Sequence, residues 1–94
     1  MVLHCLSAQP HTSSFRRCLE LAASGDTVIL MGDACYAALS ESDSAQQLAD
    51  CHARLRILDA DAKARGLASL ALESIDYAGW VELSETHSQQ LAWY

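Results

Sequence analysis

The stretch TVILMGD, residues 27–33, decides the fold of this chain. It is a continuous run of β-branched and apolar residues that ends in a Gly-Asp turn. A run of this kind is typical of a strand that is covered on both faces, as the inner strands of a parallel sheet are. The stretch therefore predicts a buried inner strand at residues 27–31, followed by a turn into a helix.

The helix predicted after this turn carries a cysteine near its start. Asp33 is placed to cap a helix over residues 34–39, with Cys35 at its second position. The partial positive charge of a helix N-terminus favours a thiolate, which makes Cys35 a candidate nucleophile. The Asp33 charge opposes the thiolate, however, and the neighbouring alanines favour close packing. We therefore expect Cys35 to be a packing residue.

Strands and helices alternate along the rest of the chain. Strands are predicted at residues 2–6, 54–58 and 67–72, and residues 90–94 form a strand or an ordered extension. Helices are predicted from a Thr12 or Ser13 cap towards Gly25, from an Asp59 cap to Gly66, and after an Asp76 cap. The polar segment 40–50 is predicted to be a loop with room for one helical turn.

This alternation predicts a single α/β domain over residues 1–94. The expected architecture has three layers, α/β/α, around a mainly parallel sheet of four or five strands. Ligand sites in such sheets lie beyond the carboxyl ends of the strands. The loops after Leu6, Met31 and Leu58 are therefore expected at the functional edge.

Composition and motifs exclude several functions. The six Lys and Arg against twelve Asp and Glu give a net charge of −6 and no basic stripe, so direct binding of nucleic acid is not expected. No apolar run approaches the roughly 20 residues that span a membrane. The four cysteines form no CxxC pair, and no phosphate-binding glycine loop is present, so we expect neither a metal nor another cofactor. With no secretory leader, reduced thiols and a cytoplasmic location are expected.

The remaining candidates have structural interpretations beside functional ones. Cys18 lies at the centre of the apolar stripe of the first helix, where a cysteine is usually a small core residue. The neighbours Cys51 and His52 are interpreted as a solvated loop rather than a ligand pair or a catalytic dyad. The aromatic residues Trp80, Trp93 and Tyr94 are predicted either to pack in the core or to form a subunit interface.

Taken together, these residues resemble the DsrH/TusB family of sulfur-relay subunits. The similarity lies in Leu3-His4-Cys5-Leu6 with Pro10, Gly25-Asp26, Asp33 with Ala37-Ala38, Asp59 with Ala64-Arg65-Gly66-Leu67, Ile75-Asp76-Tyr77 with Trp80-Val81, and His87, Gln90, Ala92 and Trp93. The resemblance implies a DsrE-like fold. It also implies a hetero-oligomer with two paralogous subunits, which resemble TusC/DsrF and TusD/DsrE, commonly as a heterohexamer.

The resemblance also implies where the sulfur chemistry lies. In the family, the main sulfur-carrying cysteine belongs to a partner subunit, in the loop after the third strand, and the corresponding turn here, residues 58–61, has no cysteine. Some members carry a cysteine in the first helix at the place of Cys18, which makes Cys18 the candidate sulfur-accepting or modulating thiol.

The sequence therefore predicts a non-catalytic or auxiliary subunit of a cytoplasmic persulfide relay that supports 2-thiolation of the wobble uridine of tRNA. The alternatives are a DsrH-type subunit of cytoplasmic sulfur oxidation, a free-standing thiol sulfurtransferase that uses Cys35 or Cys18, and a purely structural interaction module.

Overall fold

The computed structural model describes residues 1–39, 43–67 and 72–94, and its centre is a five-stranded sheet. The strands are β1 (Val2–Leu6), β2 (Thr27–Leu30), β3 (Arg54–Leu58), β4 (Ser74–Ile75) and β5 (Gln89–Trp93). They lie in the order β4-β3-β2-β1-β5, and every described strand pair is parallel. The predicted parallel α/β sheet is confirmed, and the stretch at residues 27–30 forms its fully buried central strand.

The helices occupy the two faces of the sheet unequally. They are α1 (Ser13–Leu21), a 3₁₀ helix (Gly32–Ala38), α2 (Asp43–Ala49), α3 (Asp59–Ala64) and α4 (Tyr77–Thr86). Strands β1 to β4 follow one another across the sheet in one direction, and crossovers between parallel strands are right-handed, so the helices before α4 share one face. The last crossover runs back across the sheet to β5, which places α4 alone on the other face.

The hydrophobic core is correspondingly asymmetric. The core under α1, α2, α3 and the 3₁₀ helix is the larger; we call this side the three-helix face, after its three α-helices. Its biggest buried side chains are Leu6, Phe15, Val28, Leu30 and Ile57. The core on the α4 face consists of Leu3, Cys5, Ile29 and Leu58, with partly buried side chains around them. None of the α4 residues is itself buried. The α4 face of the sheet is therefore thinly covered.

The helix predicted after β2 is the clearest correction. The prediction of an α-helix over residues 34–39 capped by Asp33 was wrong, because the segment is a 3₁₀ helix that begins at Gly32 and has no side-chain cap. The Ala34 N–H bonds the Met31 carbonyl at 3.0 Å, which gives the tighter i to i+3 pattern. Gly32 has φ +51°, a left-handed conformation that favours glycine at this turn.

Two of the predicted helix caps are confirmed. The Thr12 hydroxyl accepts a hydrogen bond from the Phe15 N–H at 3.2 Å, and the Asp76 carboxylate accepts one from the Gly79 N–H at 2.8 Å. Asp59 is the first residue of α3 rather than its cap, which is Leu58. The two confirmed caps bond an N–H three residues along the chain, whereas the predicted caps Asp33 and Asp59 lie inside their helices and cap neither.

Two segments between the strands differ from their predictions. The predicted polar loop 40–50 contains the seven-residue helix α2, which is longer than one turn. Of the predicted strand 67–72, residues 68–71 lie outside the described residues, and neither Leu67 nor Leu72 is in a strand. The Leu67 N–H instead bonds the Ala62 carbonyl at 3.0 Å, so it belongs to the end of α3, and the strand β4 begins later, at Ser74.

A buried carboxylate joins the start of β1 to the turn before β2. One Asp26 oxygen accepts the Val2 N–H at 2.9 Å, and the other accepts the Ala23 N–H at 3.0 Å and the His4 Nε2–H at 3.2 Å. The N–H groups of Ala23 and then Val2, with a smaller contribution from His4, lower the pKa of Asp26 from 3.8 to about 2.

The same histidine ties the last strand to this anchor. The Trp93 Nε1–H donates to His4 Nδ1 at 3.1 Å, so His4 Nδ1 acts as an acceptor and its proton lies on Nε2, facing Asp26. The chain Trp93–His4–Asp26 therefore links β5, β1 and β2 through side chains that are 22 and 89 positions apart in sequence.

We predict that Asp26→Asn destabilises the chain by about 1.5–3 kcal/mol, because the amide NH₂ turns one acceptor into a donor facing N–H groups. Since the pKa of Asp26 is depressed in the folded state, its stabilisation is complete above its ordinary value of 3.8 and disappears as the pH falls towards about 2. Urea unfolding as a function of pH measures both effects.

The exposed Asp50, whose carboxylate accepts a hydrogen bond from Gln46 within its own helix region, is the matched control. Asp50→Asn is expected to change the free energy of unfolding by less than about 0.5 kcal/mol. Equal losses in the two variants, or an Asp26→Asn chain with the same acid sensitivity as the parent, would contradict the role given to Asp26.

Candidate functional site

A polar network closes the carboxyl edge of the sheet. The loop after β1 supplies Gln9, and the 3₁₀ helix after β2 supplies Asp33. Asp61 and Arg65 come from α3 and the turn that follows it. The Arg65 Nη2 and Nε groups donate to one Asp33 oxygen at 3.2 and 3.3 Å, and the Gln9 amide donates to the other at 3.2 Å. The hydrogen bond from Gln9, followed by that from Arg65, lowers the pKa of Asp33. Asp33 is therefore held as a carboxylate at the functional edge.

The turn at the start of α3 belongs to this network. The Asp61 carboxylate accepts the Gly32 N–H at 2.8 Å, and the Arg65 Nη1 group donates to the Asp61 carbonyl at 3.3 Å. A Cβ at Gly32 would lie 3.7 Å from Ser7 and 3.8 Å from the Arg65 guanidinium, so the loops approach closely here. The turn at residues 58–61 thus carries the carboxylates of Asp59 and Asp61, and that of Asp61 bonds the start of the 3₁₀ helix at Gly32.

Cys18, the candidate sulfur-accepting residue, lies in the core of the three-helix face. Its side chain is 0% exposed. Burial, and to a smaller degree the nearby thiols of Cys51 and Cys5, raise its pKa to about 12. A thiol in this environment stays protonated near neutral pH, and the thiolate is the nucleophilic form. The geometry of the folded chain therefore disfavours Cys18 as a nucleophile.

Cys35 is also enclosed, in agreement with its interpretation as a packing residue. It is 0% exposed, and its Sγ–H donates to the Leu30 carbonyl at 3.6 Å. Burial, followed by the charge of Asp61, raises its pKa to about 11, although Arg65 opposes the effect. Cys5, the third buried thiol, lies under α4.

Cys51 is the accessible thiol among the four cysteines, all of which lie in the described residues. It is partly exposed at the end of α2, and its Sγ–H approaches the Leu19 carbonyl at 3.8 Å. It borders a cavity of about 400 Å³ between α1 and α2, lined also by Arg16, Gln47 and His52. The interpretation of Cys51 and His52 as a solvated loop agrees with the structure, since both follow α2 outside any helix or strand and His52 is exposed.

The aromatic candidates Trp80 and Trp93 pack on different faces of the sheet, and Tyr94 is exposed. Trp80 is half-buried against the α4 core, with its ring centroid 6.3 Å from that of Tyr77. Trp93 is half-buried against the three-helix face. Tyr94 follows it at the end of β5 and is 86% exposed. Trp93 and Tyr94 therefore lie at the edge strand, whereas the Trp80 side chain lies between α4 and the sheet.

Two searches of the described residues complete the survey. Within residues 1–39, 43–67 and 72–94, no three His, Cys, Asp or Glu side chains are grouped so that they could hold a metal ion. Over the same ranges, the helices are too short and too polar to cross a membrane.

The fold and the edge network define the class: a small chain built on a single parallel α/β sheet. The family model described as "DsrH like protein" matches residues 9–90. The chain is also 36% identical, over a 95-residue alignment, to the proteins named TusB of Yersinia pestis and Yersinia pseudotuberculosis, which covers 98% of this chain and 100% of each relative. The chain belongs to the DsrH-like family, and this membership supports a sulfur-relay subunit.

Two solved structures share the fold at low sequence identity. The solution structure of protein Tm0979 from Thermotoga maritima has a TM-score of 0.72 at 19% identity, and covers 93% of this chain and 94% of its own. The crystal structure of the ychN protein from E. coli has a TM-score of 0.74 at 13% identity and covers 97% of both chains. These likenesses confirm the predicted fold, and the family match above confirms the predicted family.

We predict that a small alkylating reagent, iodoacetamide, modifies Cys51 of the native chain well before the other three cysteines. Cys5, Cys18 and Cys35 are buried and should become reactive only when the chain unfolds. Peptide mapping by mass spectrometry after timed labelling measures each site, with the guanidinium-unfolded chain as the control for intrinsic reactivity. Native labelling of Cys18 as fast as that of Cys51 would contradict the described core.

Proposed function

We propose that this chain is an auxiliary subunit of a cytoplasmic relay that passes persulfide sulfur towards 2-thiolation of the wobble uridine of tRNA. Its family membership supports the relay. The two curated relatives at 36% identity are both named TusB, which favours the Tus branch over a role in sulfur oxidation.

The turn at residues 58–61 is the observation that carries the proposal. In a persulfide relay, an acceptor thiolate attacks the outer sulfur of a donor R–S–SH. A new S–S bond forms, the old one breaks, and the donor leaves as R–S⁻ with the electron pair. This step requires an accessible thiolate. Here the turn presents carboxylates, and Asp61 bonds the Gly32 N–H at 2.8 Å, which supports a principal acceptor on a partner subunit.

Cys18 is a secondary candidate in this proposal. The resemblance assigns it a sulfur-accepting or modulating role, and its thiol would have to leave the core before it could react. Its pKa of about 12 would also have to fall. The chain therefore supports the relay chiefly through assembly, and the sulfur passes along other subunits.

The expected partners are two paralogous subunits that resemble TusC/DsrF and TusD/DsrE, with two copies of each chain in a heterohexamer. Trp80, Trp93 and Tyr94 are the candidate interface residues. A downstream enzyme would meet the tRNA, which agrees with a net charge of −6 on this chain.

We predict that the buried thiols of Cys18 and Cys35 gain no sulfur when the native chain alone is incubated with a persulfide donor, whereas the acceptor cysteine of a partner subunit in the assembled complex does. Peptide mapping separates these thiols from the accessible Cys51. Intact mass spectrometry of each subunit detects the mass of one added sulfur atom. A complex whose partner carries Ser in place of its acceptor cysteine is the control.

Sulfur found on this chain alone, and mapped to Cys18 or Cys35, would contradict the auxiliary role and favour a free-standing sulfurtransferase. A chain that stays monomeric in the presence of both paralogues would contradict the proposed assembly. It would favour the alternative of a structural interaction module that takes no part in the relay.

A further inference from the structure

The outer edge of β5 is an unpaired strand edge in the described structure. β5 is the last strand of the sheet, and it pairs only with β1. The Ser7 N–H bonds the Trp93 carbonyl at 2.9 Å, so the backbone groups of Trp93 face β1. Backbone direction alternates along a strand, so Gln89 and Leu91 face β1 as well. The N–H and C=O groups of Gln90 and Ala92 therefore point outward.

The register of β1 supports this assignment. The Met31 N–H bonds the Leu6 carbonyl at 2.8 Å, which directs the backbone groups of Leu6 towards β2. The next residue, Ser7, must then face β5, as its bond to Trp93 shows. The outward groups of Gln90 and Ala92 are thus fixed by two independent hydrogen bonds on opposite sides of β1.

This edge lacks the features that normally protect an exposed strand. Natural sheets guard their edges with charges, proline, bulges or very short strands. The stretch THSQQLAWY, residues 86–94, contains no Asp, Glu, Lys, Arg or Pro. β5 is five residues long, whereas the strand at the opposite edge, β4, has only two. The β4 edge is thus protected by the shortness of its strand, whereas the β5 edge has none of these protective features.

The strand is also held firmly in place. The Trp93 indole donates to His4 at 3.1 Å, and the Ser7 hydroxyl donates to the Trp93 carbonyl at 3.2 Å. At the other end, the Ser88 hydroxyl donates to the Met1 carbonyl at 3.0 Å. A rigid edge pairs with a partner at a lower entropic cost than a mobile one.

We propose that the outer edge of β5 pairs with an edge strand of a paralogous subunit of the same fold, so that the sheet continues from one subunit into the next. This is recognition by strand addition, in which backbone hydrogen bonds supply affinity and flanking side chains supply specificity. Leu91 and Tyr94, which are 47% and 86% exposed, are the flanking apolar side chains.

Charge argues against a second copy as the partner. Each chain carries a net charge of −6, so two copies would repel each other on approach. The identity of the partner rests on the proposed function, whereas the position of the edge rests only on the strand geometry.

Ala92→Pro tests the edge directly, because proline removes the outward N–H of Ala92 and leaves the β1 ladder intact. Ala92→Ser is the matched control, since it keeps the N–H at the same exposed position. Leu91→Lys is a second test. It leaves the backbone unchanged and adds a positive charge to the edge strand, which disfavours pairing with another strand. Each variant is co-expressed with the two paralogous subunits of the same organism, and complex formation is measured by size exclusion.

We expect Ala92→Pro and Leu91→Lys to lower the affinity by about tenfold or more, and Ala92→Ser to assemble as the parent does. Circular dichroism should show a folded chain in all three variants. Assembly of Leu91→Lys and of a folded Ala92→Pro at the parental level would overturn the edge proposal while the proposed function stands.

If the parent chain itself fails to join the paralogues, the proposed function fails instead. If the parent chain alone forms a dimer that Ala92→Pro abolishes, the edge is used by a second copy, and the assignment to a paralogue is overturned.

Discussion

The right-handedness of parallel crossovers is the constraint on which the rest of this structure depends. Strands β1 to β4 step across the sheet in one direction, so their connecting helices share one face and build the larger core. The connection to β5 must return across the whole sheet, which places α4 alone on the second face and β5 beyond β1. One rule thus explains the unequal cores, the thin cover of the α4 face and the open edge strand.

Sequence reasoning predicted the features that depend on neighbours along the chain. The apolar run at residues 27–30, the Thr12 and Asp76 caps and the parallel α/β class follow from local patterns, and the structure confirms them. The 3₁₀ helix after β2 was missed because its geometry is set by tertiary packing, which local propensity does not report: its side chains at Ala34, Cys35, Ala37 and Ala38 are all buried.

The polar contacts that define the edge and the anchor could not be predicted, since they join distant positions. Asp61 and Gly32 are 29 residues apart, and Trp93 and His4 are 89 apart. One sequence contains no signal that pairs such residues. The family resemblance identified Cys18 as the candidate thiol. It did not reveal that Cys18 is buried, because its burial depends on how α1 packs against the sheet.

We propose a subunit whose sulfur chemistry lies with its partners and which contributes an anchored strand with an open edge. Amide hydrogen exchange on the free chain and on the complex with both paralogous subunits tests this most directly. In the free chain, the outward amides of Gln90 and Ala92 should exchange fast, and those of Leu91 and Trp93 slowly. In the complex, we predict strong protection of the Gln90 and Ala92 amides. Fast exchange at both positions in an intact complex would contradict it.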